Sequence, residues 1–231
     1  MTQHSKMTQH SKMTQRASRR SVVVLDYGSG NLRSAERALA RVGGSVQVSD
    51  DLDLALDCDG LVVPGVGAFA ACMAGIRRVG GDKVIAKRIG LGRPVLGICV
   101  GMQVLFSAGV EHGIRTEGCE VWPGTVDRLD APVLPHMGWN TVVPAPGSVL
   151  FAGIDPGTRF YFVHSYALRM RDAGPLLAFD QPDCHPRVTV AAHGEDFAAA
   201  VEDGLVSATQ FHPEKSGDAG AAVLKNWLEA L

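Results

Sequence analysis

Cys99, His212 and Glu214 are residue types that together can open an acyl bond, and each stands in a setting that suits the task. Cys99 lies in Gly97-Ile98-Cys99-Val100-Gly101, directly after the apolar residues 94–98 and before the helix-like residues 102–106. That order predicts a strand, a sharp turn and a helix, with the sulfur at the turn. Glycine on both sides lets the backbone bend tightly without a Cβ clash. The same geometry raises the serine of a nucleophile elbow. At a helix N-terminus the thiol faces the positive end of the dipole, which favours the reactive thiolate. An ordinary thiol, pKa ~8.5, is only roughly a few per cent ionised at neutral pH, so it needs a base and a group that orients the base. Gln210-Phe211-His212-Pro213-Glu214 follows a strand-like run at 206–209. Two residues apart in an extended segment, His212 and Glu214 project the same way. A carboxylate beside an imidazole fixes its tautomer and stabilises its charged form.

Distant residues of this kind meet only if strand ends bring them together. Val22-Val23-Val24-Leu25-Asp26-Tyr27 is the continuous apolar run of a strand buried on both faces. Gly28-Ser29-Gly30-Asn31 breaks it, and Leu32, Ala35, Leu39 and Val42 then recur with helical spacing up to Gly43-Gly44. Strands are predicted at 45–48, 61–63 and 95–98, and helices at 68–79 and 83–89. This repetition implies an α/β fold, an open, mostly parallel, doubly wound sheet with helices on both faces. Beyond Val121 strand-like runs follow closely, at 125–128, 160–166, 176–179, 188–192, 197–201 and 206–211. They read as antiparallel strands added to the sheet, not as a second domain. A last helix over 219–231 puts Val223, Leu224, Trp227, Leu228 and Leu231 on one face as core. Ligands in such sheets bind at the carboxyl ends of strands, where Tyr27, Pro64-Gly65 and Cys99 all stand. Gly28-Ser29-Gly30 is not a dinucleotide loop, because position 33 is arginine where G-x-G-x-x-G requires its third glycine.

The chain of 231 residues is 46% hydrophobic, enough for one large core, and residues 21–231 are expected to form a single domain. A formal charge of −2 argues against a nucleic-acid surface. No apolar segment approaches the ~20 residues of a membrane span. The five cysteines, at 58, 72, 99, 119 and 184, form no CxxC pair, so neither a disulfide framework nor a zinc site is expected, and a reducing cytoplasm fits. Residues 1–20 repeat Met-Thr-Gln-His-Ser-Lys at 1–6 and 7–12 and, in part, at 13–15. They are polar, carry no apolar stripe and lack the apolar stretch of a secretory signal, so they are expected to be a disordered tail. No metal or cofactor is implied.

Gly97-x-Cys99-x-Gly101-Met102-Gln103 with His212-Pro213-Glu214 resembles the class I glutamine amidotransferases. Further strings are similar to those of the members that serve histidine biosynthesis: Asp26-Tyr27-Gly28-x-Gly30-Asn31-Leu32, Val63-Pro64-Gly65-Val66-Gly67-Ala68-Phe69, Pro135-His136-Met137-Gly138-Trp139-Asn140, Tyr161-Phe162-Val163-His164-Ser165-Tyr166 and Phe211-His212-Pro213-Glu214-Lys215-Ser216. The resemblance covers residue 22 to the C-terminus. It implies a Cys-His-Glu triad that hydrolyses the side-chain amide of glutamine through a thioester. Val100 stands where the family has leucine, but this residue contributes mainly its backbone N–H.

By elbow geometry that N–H is one donor to the tetrahedral oxyanion. The second is expected from Gly65, Val66 and Gly67, where glycines let a peptide take either orientation. One such donor can be worth ~3 kcal/mol. The resemblance further implies that activity is low until a partner binds its nucleotide substrate. It places the amino-acid end of glutamine against Gln103, Glu111 and the backbone of Ser165 and Tyr166. It also implies a heterodimer with a (β/α)8-barrel cyclase that receives ammonia through an internal channel, with Trp139, Tyr161 and Lys215 at the interface.

Overall fold

Val22-Val23-Val24-Leu25 can bury every side chain only inside a sheet covered on both faces, and the first strand does so. The computed structural model describes residues 19–179 and 185–231. The expected polar tail, apart from Arg19 and Arg20, and Cys184 lie outside the described residues. Strand β1 (Ser21–Leu25) leads through α1 (Leu32–Arg41) to β2 (Ser45–Ser49), and α2 (Leu52–Asp57) leads on to β3 (Gly60–Gly65). Helices α3 (Phe69–Val79) and α4 (Gly81–Gly90) precede β4 (Val95–Cys99), and α5 (Val100–Gln103) follows it. The next strands are β5 (Phe106–Glu111), β6 (Ile114–Glu117), β7 (Trp122–Arg128), β8 (His136–Thr141), β9 (Arg159–His164) and β10 (Tyr166–Ala167). A short α6 (Gly174–Leu177) separates them from β11 (Arg187–His193), β12 (Glu195–Asp203) and β13 (Val206–Thr209), and α7 (Gly217–Glu229) closes the chain.

The main sheet has the order β11-β12-β13-β4-β3-β1-β2. From β2 through β13 its neighbours are parallel, and β12 and β11 extend it antiparallel, as the sequence predicts. Every residue of β3 and β4 is buried. Helix α1 packs with α7, while α2 and α3 pack on α4. The strand order reverses at β1, with β2 on one side and β3 on the other. The connections after β1 and β3 therefore diverge and open a crevice at their carboxyl ends.

Four local expectations are corrected. The strands between β4 and β11 do not join the main sheet: β10-β7-β5-β6 form a second sheet, and β8 and β9 pair with each other. The helix after Cys99 is a single turn, and Phe106 already opens β5. Residues 104–106 are wholly buried, and periodicity does not separate a buried strand from a buried helix. Residues 176–179, expected as a strand, overlap α6, which Pro175 initiates in its first turn. Helix α2 was not expected, although Asp51 caps it by accepting from the N–H groups of Asp53 (2.9 Å) and Leu54 (3.1 Å).

Two packing features hold the site's supports. Phe211 packs at a tilt against Phe160 (centroids 4.5 Å) and edge-on against Phe162 (5.6 Å) of β9, and Phe162 meets Phe197 at 5.8 Å. Each such ring contributes about 1.5–3 kcal/mol by burial, which fixes the chain just before His212. On the far side Arg88 is fully buried. Its Nη1 donates to the carbonyls of Ala55, Leu56 and Cys58 that end α2, and its Nη2 to those of Asp59 and Pro94 beside β3 and β4. The helix-end carbonyls, which have no partner within the helix, are thereby satisfied.

Candidate active site

Cys99 is the last residue of β4 and adopts φ +55°, ψ −113°. A non-glycine residue at positive φ stores about 1–3 kcal/mol, and such residues concentrate at reactive centres. The strained torsion is on the cysteine itself, and the flanking glycines serve by making room. A Cβ on Gly101 would sit 1.8 Å from the Val63 carbonyl oxygen, and one on Gly97 2.7 Å from that of Gly101. Gly65, paired with Cys99 across β3 and β4, would bring a Cβ within 2.5 Å of the Gly101 nitrogen. The G-x-C-x-G spacing thus lets three backbones cross at contact distance. Because α5 is only four residues long, its dipole contributes little, and the side chains around the sulfur matter more.

His212 and Glu214 arrive from the end of β13. The His212 N–H donates to the Tyr161 carbonyl at 2.9 Å, and Ser216 Oγ donates to the His212 carbonyl at 2.7 Å. Both triad side chains beyond the cysteine are 2% exposed, with Nδ1 of His212 2.8 Å from Glu214 Oε1. A carboxylate can only accept, so Nδ1 carries the proton and Nε2 is left for the sulfur. Burial pushes the imidazole pKa down, but the hydrogen bonds to Cys99 and Glu214 and the charge of both outweigh it, and the pKa stands raised to about 9.

Two residues that sequence reasoning missed complete this cluster. Asn31 Nδ2 donates to Glu214 Oε1 at 2.6 Å. It can do so because Asn31, at the start of α1, takes a left-handed conformation (φ 69°) that asparagine tolerates. Gln210 Nε2 lies 3.8 Å from Cys99 Sγ. Its orientation is set by Gln103, whose Nε2 donates to Gln210 Oε1 (3.1 Å) and to the Tyr166 carbonyl (2.8 Å). Asparagine within Gly30-Asn31-Leu32 and glutamine just before Phe211-His212 were visible in the sequence, but no spacing rule links either to Cys99.

A cleft of about 300 Å³ opens beside the sulfur, a size that suits a small metabolite. It is lined by Cys99, His212, Val66, Gly67, Val100, Gln103, Glu111, Ser165 and Tyr166, by Lys215, which was expected at the partner interface, and by Val163 and His164. Gly65 and Glu214 are not among its lining residues. Glu111 is partly committed, since its Oε2 accepts the Phe69 N–H at the start of α3 (3.0 Å). Trp139 and Tyr161 lie outside the cleft and face each other across β8 and β9, with ring centroids 6.0 Å apart. Trp139 is 53% exposed, so it is not a core residue.

Of the residues expected to complete an oxyanion site, Val66 has its backbone groups engaged elsewhere. The Val66 N–H donates to Ser29 Oγ at 3.2 Å. Cys72 Sγ donates to the Val66 carbonyl at 3.3 Å, and Tyr27 Oη donates to the Pro64 carbonyl. Burial raises the pKa of both Tyr27 and Cys72, so each keeps the proton it donates. Val100 is the first residue of α5, where an N–H has no partner within the helix.

A buried cysteine on a strained strand–helix turn, a carboxylate-bound histidine beside it and a small cleft are the arrangement that thiol-dependent acyl transfer requires. The chain belongs to the class I glutamine amidotransferase family, whose model matches residues 23–231. Its relatives include the imidazole glycerol phosphate synthase subunit HisH of Nocardia farcinica, 64% identical over 93% of this chain and 100% of that protein. The proteins of the same description from Mycobacterium tuberculosis H37Rv and Streptomyces coelicolor are 61% and 58% identical, over 92% of this chain in each case and over 98% and 94% of their own lengths. The fold is also that of a solved glutamine amidotransferase (TM-score 0.67, 20% identity, 90% of this chain and 97% of that one) and of a chain in the solved PurLQS of Thermotoga maritima (TM-score 0.64, 19% identity, 92% and 99%).

Proposed function

We propose that this chain is the glutaminase subunit of an imidazole glycerol phosphate synthase, hydrolysing glutamine to glutamate and ammonia and supplying the ammonia to a cyclase in histidine biosynthesis. The observation that carries the reading is the assembled Cys99–His212–Glu214 cluster at one end of a glutamine-sized cleft, in a chain so similar to the HisH subunits. Cys99 Sγ, its proton passed to His212 Nε2, attacks the carboxamide carbon, and the C=O electron pair moves to oxygen. The oxyanion collapses with cleavage of the C–N bond, and His212 delivers its Nε2 proton to the departing nitrogen, giving ammonia and a γ-glutamyl thioester. Water, deprotonated by the now neutral His212, then attacks the thioester, and glutamate leaves as the sulfur recovers its charge. Glu214 holds the imidazole throughout. Gln103, Glu111 and the backbone of Ser165 and Tyr166 hold the amino-acid end of the substrate.

Regulation follows from the loop opposite. Val100 N–H supplies one oxyanion donor, and the second comes from the Gly65–Val66–Gly67 segment once it releases Ser29. A missing donor costs roughly 10²–10³ in rate, so this segment acts as a switch. The partner is a (β/α)8-barrel cyclase joined as a heterodimer, and ammonia passes to it through an internal channel. Support for the docking face comes from β8, whose Met137 (66% exposed) and Trp139 point outward beside Tyr161, with Lys215 at the cleft. The chain acts in the cytoplasm.

Co-purification with a candidate cyclase, followed by a glutaminase assay with and without the cyclase's nucleotide substrate, tests the reading. A stable complex whose turnover rises when the nucleotide binds is expected. Absence of glutamine hydrolysis in the complex would overturn it.

A further inference from the structure

Beside the cleft, which His164 lines, lies a chain of buried histidines that the reaction does not consume. His136 opens β8 and His164 closes β9, and the two are paired in register. His136 Nδ1 is 3.0 Å from His164 Nε2, and His164 Nδ1 is 3.0 Å from the Tyr166 carbonyl oxygen. At the other end Asn140 Nδ2 is 3.2 Å from His136 Nε2 and also donates to the Ala192 carbonyl (2.9 Å). Both histidines are buried. His136 is held between the rings of Phe162 (4.9 Å, 26°) and His193 (4.3 Å, 18°).

The direction of every link follows from chemistry. A carbonyl oxygen only accepts, so His164 must carry its proton on Nδ1. Burial, with neighbouring histidines adding to it, lowers the pKa of His164 to about 3 and of His136 to about 4, so both rings are neutral. The titratable groups that face them are His193 of β11 and His212. A neutral His164 then accepts at Nε2, which requires His136 to donate from Nδ1 and accept at Nε2. Asn140 must present its nitrogen to His136, and its Oδ1 does accept the Thr141 N–H (2.9 Å), which agrees with that amide orientation.

The chain ends on the Tyr166 carbonyl, which also takes Gln103 Nε2, so both of its lone pairs are occupied. The Ser165 carbonyl is likewise engaged, by the Leu129 N–H at 2.9 Å. Both oxygens, which would repel a carboxylate, are therefore fixed by partners other than substrate.

We infer that His136 and His164 are positioning residues, forming a one-way hydrogen-bond strut from Asn140, beside the exposed Trp139, to the backbone that receives the amino-acid end of glutamine. This inference rests on the glutaminase reading. The strut sets substrate affinity and leaves the chemical step to Cys99.

The test has two arms on the full chain in its cyclase complex. In kinetics, His164→Phe, which keeps an aromatic ring but no donor, should raise KM for glutamine about tenfold with kcat changed by no more than about twofold, the cost of one buried hydrogen bond. His164→Asn, whose amide nitrogen can take the place of Nδ1, should bring KM back to within about threefold of the parent. In nitrogen-15 NMR at neutral pH, both His136 and His164 should be neutral and protonated on Nδ1, opposite to the Nε2–H form that free histidine prefers. An Nε2–H or charged ring at either position, or equal KM values for the Phe and Asn variants, would overturn the strut. If the expected tautomers are found while the parent complex shows no glutaminase activity, the functional reading fails and the inference about substrate fails with it.

Discussion

The two walls of the cleft differ in how their polar groups are used. On the wall built by β4 and β13, Cys99, Gln210, His212, Glu214 and Asn31 are bonded to one another. On the opposite wall, Pro64 near the end of β3 and Val66 just after it spend their backbone polar groups on Tyr27, Ser29 and Cys72, away from the sulfur. The first wall hangs on buried parallel strands, with Gly97 of β4 and Gly101 of α5 in backbone contact at the turn, which leaves it little room to rearrange. The second is held by three separable side-chain contacts. Each contributes about 1 kcal/mol net, which matches the 1–3 kcal/mol typical of coupling between sites. On the proposed function, the thiol is ready while its oxyanion site is not, and binding of a partner would be of the right size to change that.

Removing the proposed nucleophile, Cys99, from the first wall has the largest expected effect. Cys99→Ala in the cyclase complex should lower glutamine-dependent turnover by about 10⁴-fold or more, while free ammonia still supports the cyclase. Surviving glutamine turnover would remove Cys99 from the mechanism. Next is Glu214→Gln, expected to cost about 10²-fold in kcat by loosening His212. Its second readout is pH. The folded pKa of His212, about 9, lies above the ordinary ~6.5, so the stabilisation from the charged ring is fully present below ~6.5 and is lost as pH rises through about 9. In Glu214→Gln the His212 NMR titration midpoint should fall, and the loss of urea stability between pH 6 and 9 should flatten. An unmoved midpoint would show that Glu214 does not hold the ring.

The other wall should respond in the opposite sense. Ser29→Ala frees the Val66 N–H, so unaided glutamine hydrolysis by the isolated chain should rise about tenfold, with little change in the activated complex. A fall in unaided turnover would mean that Ser29 serves catalysis directly. The smallest effect concerns strain. Because Cys99 sits at φ +55°, Cys99→Gly should be about 1 kcal/mol more stable than Cys99→Ala in denaturant melts, although both are inactive. Equal stabilities would mean that the turn stores no strain.

This contrast also marks how far the sequence could be read. Cys99 was legible because two glycines and an apolar run announce a strand ending in a turn, and His212 and Glu214 because they share an extended segment. The parallel strands were legible as apolar runs separated by helical periodicity. Asn31, Ser29 and Gln210 were not, since each reaches its partner from a different strand end, and short polar residues carry no periodic signal. The histidine strut was hidden for the same reason, because the β8–β9 register pairs His136 with His164 across a long connection. The one-turn α5 and the α6 region were misread where short apolar runs suit either element. Sequence also put the turn's conformational freedom on the glycines, whereas the folded backbone places it on the cysteine.

The most direct test sets two reactions of the isolated full-length chain side by side. A small alkylating agent such as iodoacetamide needs the activated sulfur but no oxyanion donor, whereas glutamine needs both. Rapid alkylation, mapped to Cys99 by peptide mass and slowed in His212→Ala, is predicted together with slow glutamine turnover that rises in the activated complex. An inert Cys99 in the isolated chain, or fast unaided glutamine turnover, would contradict a ready thiol facing an unfinished oxyanion site.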